Sequence, residues 1–115
     1  MAKKFEYLVI GGGLVGCLVS LILSKKKHNV CLFEKSNFKK IITNSYVPLS
    51  LSINSVNFLK HNKIWVEEIF QSNEINNLTI KLFNSFNVTE LVSQDINADY
   101  LGCVVNKLNL LSYLR

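Results

Sequence analysis

Gly11, Gly13 and Gly16, in the run GGGLVG, have the G-x-G-x-x-G spacing, and Glu34 follows Gly16 by 18 positions. Those residue types suit one task, the holding of a nucleoside diphosphate. A glycine at 11 permits a tight turn after a strand. A glycine at 13 has no side chain, so the backbone can come close to a pyrophosphate. A glycine at 16 lets a helix pack near the strand. With Leu14 opening that helix, its first N–H groups lack intrahelical acceptors and turn partial positive charge toward the phosphates. Glu34 can accept hydrogen bonds from ribose hydroxyls, and its charge disfavours a 2′-phosphate there. The candidate cofactor-binding residues are Gly11, Gly13, Leu14, Gly16, Glu34 and the adjacent Lys35. No residue is assigned a catalytic or metal-binding role.

These residues need elements to position them. Residues 5–10 (FEYLVI) read as a buried parallel strand, and residues 11–16 as a turn. Residues 14–26 read as a helix that is apolar nearly all round. Lys25, Lys26 and Lys27 close it, where cations suit the negative end of the dipole. His28 and Asn29 make the exit turn, and residues 30–34 (VCLFE) form a second buried strand. The whole is one βαβ unit of about thirty residues. The same stretch has a competing reading. Lys3 and Lys4 before it and Lys25–Lys27 after it outline a signal peptide or a short membrane span over residues 7–23. That span falls at or below the ~17–25 residues a crossing helix needs. Its three consecutive glycines each cost a helix about 1 kcal/mol relative to alanine. No small-residue cleavage site precedes the lysines, and an integral membrane segment is not expected.

Further along, residues 36–50 are polar and irregular, with Lys39, Lys40 and the turn-forming Asn44-Ser45, and Pro48 near the end. Ser50 or Ser52 caps a helix that runs to about His61, with Ile53, Val56 and Leu59 at helical spacing. Residues 64–71 (IWVEEIFQ) read as a second short helix, with Trp65 and Ile69 as packing residues and Glu67 and Glu68 facing water. Residues 78–83 and 86–92 alternate and form a hairpin around Asn84-Ser85. Residues 100–105 (YLGCVV) are another strand. Residue 106 onward turns helical and stops at Arg115 in mid-pattern, so the chain is expected to be a piece of a longer protein.

Composition excludes several classes. The chain has 115 residues, 49% hydrophobic and 18% charged, which suits one compact domain and argues against disorder. Cys17, Cys31 and Cys103 are odd in number and without C-x-x-C spacing, so they read as buried, inert thiols and not as a disulfide scaffold. His28 and His61 are isolated, and there is no metal-ligand cluster and no G-x-S-x-G elbow. The net charge is +5, but twelve of the thirteen basic residues are Lys, Arg115 is the single Arg, and fourteen residues are Asn. Nucleic-acid readers rely on Arg for bidentate contacts, so a nucleic-acid partner is not expected.

Three segments in order extend this reading: YLVIGGGLVGCLVSLIL with VCLFEK, then PLSLSINSVNFLKHNKIW, then YLGCVVNKLNLLSYL. Together they resemble the opening of the flavin-dependent aromatic hydroxylases of ubiquinone biosynthesis, in the p-hydroxybenzoate hydroxylase-like class. Ser50-Leu51-Ser52 stands at that family's A-L-S helix start, Lys63-Ile64-Trp65 at its "GVW", and residues 101–105 at its "LG-x-VV" strand. The resemblance covers nearly all of the chain. It implies an α/β fold: a Rossmann-like βαβ FAD-binding domain of the glutathione reductase type, truncated, with a small β-hairpin. Residues 1–115 would be the N-terminal part, with the substrate domain and C-terminal region absent. It also implies FAD as cofactor, NAD(P)H as external reductant, and O₂ as the source of a hydroxyl delivered to a polyprenyl phenol ring. Gly11, Gly13, Gly16 and Glu34 would hold the FAD adenosine diphosphate. Other proteins of ubiquinone biosynthesis are the implied partners, in the cytoplasm or peripheral to the inner membrane.

The chain departs from that family at three places. Val47 stands where the family has an Arg, Asn106 where it has a Glu, and Ser112 or Tyr113 where it has a Gln or Arg near the flavin. By the resemblance, the chain is expected to keep the diphosphate cradle, with most of the isoalloxazine and substrate site in the family's downstream region. The alternative is a non-catalytic nucleotide-binding module, or a degenerate remnant without activity of its own.

Overall fold

In a computed structural model, residues 2–36 and 45–115 are described. The expected loop at Lys39, Lys40 and Asn44 lies outside them. In chain order the elements are β1 (Tyr7–Ile10), α1 (Leu14–Lys25), β2 (Val30–Phe33), β3 (Pro48–Ser52), α2 (Ile53–His61), α3 (Glu67–Phe70), β4 (Asn73–Ile75), β5 (Asn77–Lys81), β6 (Val88–Val92), a 3₁₀ turn over Ser93–Ile96, β7 (Gly102–Asn106) and α4 (Lys107–Leu114). The fold is mixed α/β with small sheets, and it divides into two compact units.

The first unit comprises Met1–Val47 and Lys107–Arg115. Its strands pair in parallel, with Tyr7 opposite Val30 and Ile10 opposite Phe33. A parallel pair needs a crossover, and α1 supplies it. The strand–helix–strand order expected from the sequence is therefore present. The first strand begins at Tyr7, two residues later than its apolar run. Both strands are short and most of their side chains are half-buried or exposed, so they are less covered than expected. The helix α1 ends at its lysines, where the N–H of Lys26 bonds back to Ile22 and Leu23 and Lys27 takes a positive φ of 66°. Among the described residues of this unit, Cys17 on α1 and Leu110 on α4 are the buried apolar ones. Residues 7–23 are not one rod, and no helix among the described residues is long and apolar enough to cross a membrane.

The second unit is Pro48–Asn106. Its three-stranded antiparallel sheet has the order β3-β7-β4, with Cys103 opposite Leu51 on one side and Glu74 on the other. Although residues up to Ser50 are expected to be irregular and Ser50 or Ser52 to start the helix, Pro48–Ser52 is a strand. Its proline sits at the first position, where a missing N–H does least harm to a ladder. Ser52 then caps α2 as expected, its hydroxyl accepting the N–H of Ser55 at 3.2 Å. The second short helix is reduced to Glu67–Phe70. Lys63 takes a positive φ of 56°, and Val66 is extended at the N-cap. Trp65 is consequently not helical. It meets Phe70 edge-on at 5.2 Å between ring centroids, and its indole N–H donates to Glu67 at 2.9 Å. Ile69 is exposed, whereas Val56, Leu59, Ile64, Phe70, Cys103 and Val105 form the core. Glu67 and Glu68 face water as expected. The hairpin is also present, with β5 and β6 antiparallel and Asn77 opposite Val92.

Phe70 is completely enclosed, so removing its ring leaves a void. Phe70→Ala is expected to cost about 3–5 kcal/mol of stability, against under about 1 kcal/mol for Ile69→Ala at its exposed site. Urea titration of the two variants checks the contrast.

Candidate functional site

The exit from β1 shapes the glycine loop. Gly11 has a φ of +103°, in the region that favours glycine, and its N–H donates to the carbonyl of Phe33 at 2.7 Å. The loop therefore begins tied to the end of β2. Gly16 lies in the first turn of α1, and a Cβ there would come 1.8 Å from the Gly11 carbonyl oxygen. Only hydrogen fits at that distance. Backbone angle thus accounts for glycine at 11, and space accounts for it at 16. Neither reason applies at 13. Gly13 is the N-cap of α1 with an ordinary φ of −76°, and a Cβ there would meet no atom within 4 Å. The chain's own packing does not require glycine at 13.

The in-register pairing of Ile10 with Phe33 brings the next residue, Glu34, to the loop. Its Oε2 accepts the N–H of Gly12 at 2.5 Å, and its Oε1 accepts the N–H and the hydroxyl of Ser36, both at 3.0 Å. The Ser36 N–H, then the Gly12 N–H and the Ser36 hydroxyl, hold the Glu34 carboxyl below the usual glutamate value, and the charge of Arg115 adds to this. A carboxylate offers about four acceptor positions, and among the described residues Glu34 uses three of them.

The back of the loop is held as well. The Gly12 carbonyl accepts from Arg115 Nη2 at 2.9 Å and from the Cys17 thiol at 3.3 Å. In front, no side chain caps the start of α1. The fold thus brings Gly11, Gly13, Leu14, Gly16 and Glu34 to one loop and the helix it opens. Lys35 is exposed, and among the described residues no hydrogen bond or ion pair joins it to the loop. Sequence reasoning missed Gly12, Cys17 and Arg115. Gly12 and Cys17 flank the motif positions, but nothing in a string of letters links Gly12 to Arg115, 103 residues away.

Charge is unevenly divided between the two units. Ten of the thirteen basic side chains and two of the eight acidic ones belong to the unit with the loop, a formal balance of +8. The second unit carries three basic and six acidic residues, a balance of −3. A field of that sign draws anions to the first unit.

Among the described residues no group of His, Cys, Asp and Glu is placed to hold a metal. The half-buried Cys31 and the buried Cys17 and Cys103 are all free thiols. Burial pushes the Cys103 thiol up, as expected of an inert one.

No protein-family profile matches the chain. Over 49 residues, 42% of the chain, it is 39% identical to "Dehydrogenase str4" of Strobilurus tenacellus, and this match covers 8% of that protein. Over 34 residues, 30% of the chain, it is 50% identical to "GMC-type oxidoreductase acuG" of Aspergillus aculeatus, covering 6% of that protein. The chain is thus similar in part to oxidoreductases, and the matches span less than a tenth of either relative.

Two outcomes follow from the loop geometry. Gly16→Ala forces its methyl group onto a backbone carbonyl and is expected to destabilise the chain by about 3 kcal/mol or more, read from urea unfolding. Glu34 has a lowered folded pKa, so its stabilising contribution is complete above the ordinary glutamate value. That contribution is lost as pH falls through the folded value. Glu34→Gln is expected to flatten the acid limb of a plot of urea midpoint against pH, leaving the shares of Glu6 and Glu67, whose pKa values are also lowered.

Proposed function

We propose that the glycine loop binds the adenosine diphosphate part of FAD, and that the chain serves an oxidoreductase. The observation that carries this reading is Gly13. Neither packing nor a positive φ demands glycine there, at the start of a 12-residue helix, where a Cβ would meet nothing within 4 Å. Close approach of a phosphate explains it where packing and backbone angle do not. The partial likeness to a dehydrogenase and a GMC-type oxidoreductase supports the same class.

Each residue then has a task in binding. The N–H groups of Gly13 and Leu14 face the diphosphate, where a helix N-terminus contributes about 0.3–1 kcal/mol per anionic group and up to ~2 when partly buried. The remaining acceptor position of Glu34 takes a ribose hydroxyl and excludes a 2′-phosphate. The excess positive charge of the unit speeds capture of a polyanion. Lys35 lies beside Glu34 in the chain and adds to that charge. Bound FAD supplies redox chemistry that these side chains do not have.

Within the oxidoreductases we favour an aromatic hydroxylase of ubiquinone biosynthesis, similar to 2-octaprenyl-6-methoxyphenol hydroxylase. NAD(P)H would be its reductant and a polyprenyl phenol its substrate. The support is the order of segments: βαβ with Glu34, then Ser50-Leu51-Ser52 running into the capped helix α2, then the strand β7 at Gly102–Asn106. A module that binds nucleotide without redox activity is the competing outcome.

Calorimetric titration with ADP, FAD and adenosine 2′,5′-diphosphate tests the proposal. ADP and FAD are expected to bind and the 2′-phosphate to bind more weakly. Equal affinity for ADP and FAD would favour the module, and no binding would overturn the reading. Gly13→Ala is expected to weaken ADP at least about tenfold, a loss of ~1.4 kcal/mol. Its stability should fall by no more than about 1 kcal/mol, the ordinary difference between glycine and alanine at an N-cap.

A further inference from the structure

We infer that Arg115 is a positioning residue for the anion site, fixing the direction in which the Gly13 N–H points. The inference rests on the nucleotide reading above and goes one step deeper into the same loop.

The carbonyl of Gly12 and the N–H of Gly13 belong to one peptide plane. In a trans peptide the two point in opposite directions, and no cis bond is present among the described residues. Arg115 Nη2 and the Cys17 thiol hold the Gly12 oxygen from behind, at 2.9 and 3.3 Å. The Gly13 N–H is thereby turned the other way, and the same residue is open enough that a Cβ on it would meet nothing within 4 Å. Without a clamp this plane would rotate easily, since both of its residues are glycines with wide backbone freedom. A rotation would turn the N–H inward and the oxygen toward the phosphate, converting attraction into repulsion.

The Cys17 thiol is a weak donor, so the stronger share of the clamp falls to the guanidinium. A cation on the carbonyl also polarises the peptide and makes its N–H a better donor to an anion. The preceding plane is held separately, by the Gly12 N–H bond to Glu34. The two planes of the loop are thus set by one anion and one cation. Arg115 acts through the Gly12 carbonyl, and it is neither a member of the glycine motif nor near it in sequence.

The test compares Arg115→Met, Arg115→Lys and a charge control, Lys4→Met on the exposed N-terminal arm. Two readouts are taken on the full chain: the amide resonance of Gly13, and titration with ADP and with inorganic pyrophosphate. Arg115→Met is expected to shift or broaden the Gly13 resonance in the free protein and to weaken both ligands about five- to tenfold. Arg115→Lys should recover much of that loss, and Lys4→Met should change affinity less than about twofold. An unmoved Gly13 resonance, an unchanged affinity, or an equal effect of Lys4→Met overturns the inference. ADP binding the wild type no tighter than pyrophosphate overturns the nucleotide reading alone, and the Arg115 comparison then stands or falls on pyrophosphate. Failure of both ligands to bind the wild type overturns both.

Discussion

In-register parallel pairing of β1 with β2 is the constraint from which the loop geometry follows. With Ile10 set against Phe33, the residues just past each strand, Gly11 and Glu34, leave the pair at the same end. The Gly11 N–H then meets the Phe33 carbonyl, and the Gly12 N–H meets the Glu34 carboxylate. A slip of one residue would send Glu34 to the other side of the pair. The crossover helix can return to make this pairing only because Gly16 lets it pass against the Gly11 carbonyl. Register, close approach and carboxylate therefore depend on one another.

The loop behind this arrangement is held by groups of opposite sign. The Glu34 carboxylate takes the N–H of Gly12, and the Arg115 guanidinium gives to the carbonyl of the same residue. The chain's own groups thus hold the loop in one shape. The charge of the surrounding unit acts at longer range and on rates, and it does not choose among anions.

Much of the first unit was legible in the sequence because its signals are local. A run of apolar residues, three spaced glycines and a lysine cluster fix β1, the loop and α1 within 20 residues of one another, and Glu34 falls where a second strand must end. Ser52 as a cap and the alternating hairpin were legible for the same reason. The strand at Pro48–Ser52 was not. Proline and two serines lower its intrinsic preference, and it is extended because β7 provides a partner from 50 residues away. The three residues Asn73–Ile75 carry no strand signal either and form one along the other edge of β7. Residues 64–66 have helical spacing, yet Lys63 turns left-handed and starts the helix late. Arg115 reaches the loop through tertiary packing of α4, which no spacing rule encodes.

The ribbon formed by β5 and β6 has a consequence for how the chain behaves in a tube. Among the described residues its strands pair only with each other, its side chains from Asn77 to Glu90 are all exposed, and Phe83 and Phe86 near its tip stand fully in water. Two unpaired rims invite a second ribbon alongside, and bare aromatic rings reward that meeting more as the solution warms. Concentrated samples should therefore turn cloudy on gentle heating or on adding sulfate, well before the enclosed core around Phe70 comes apart.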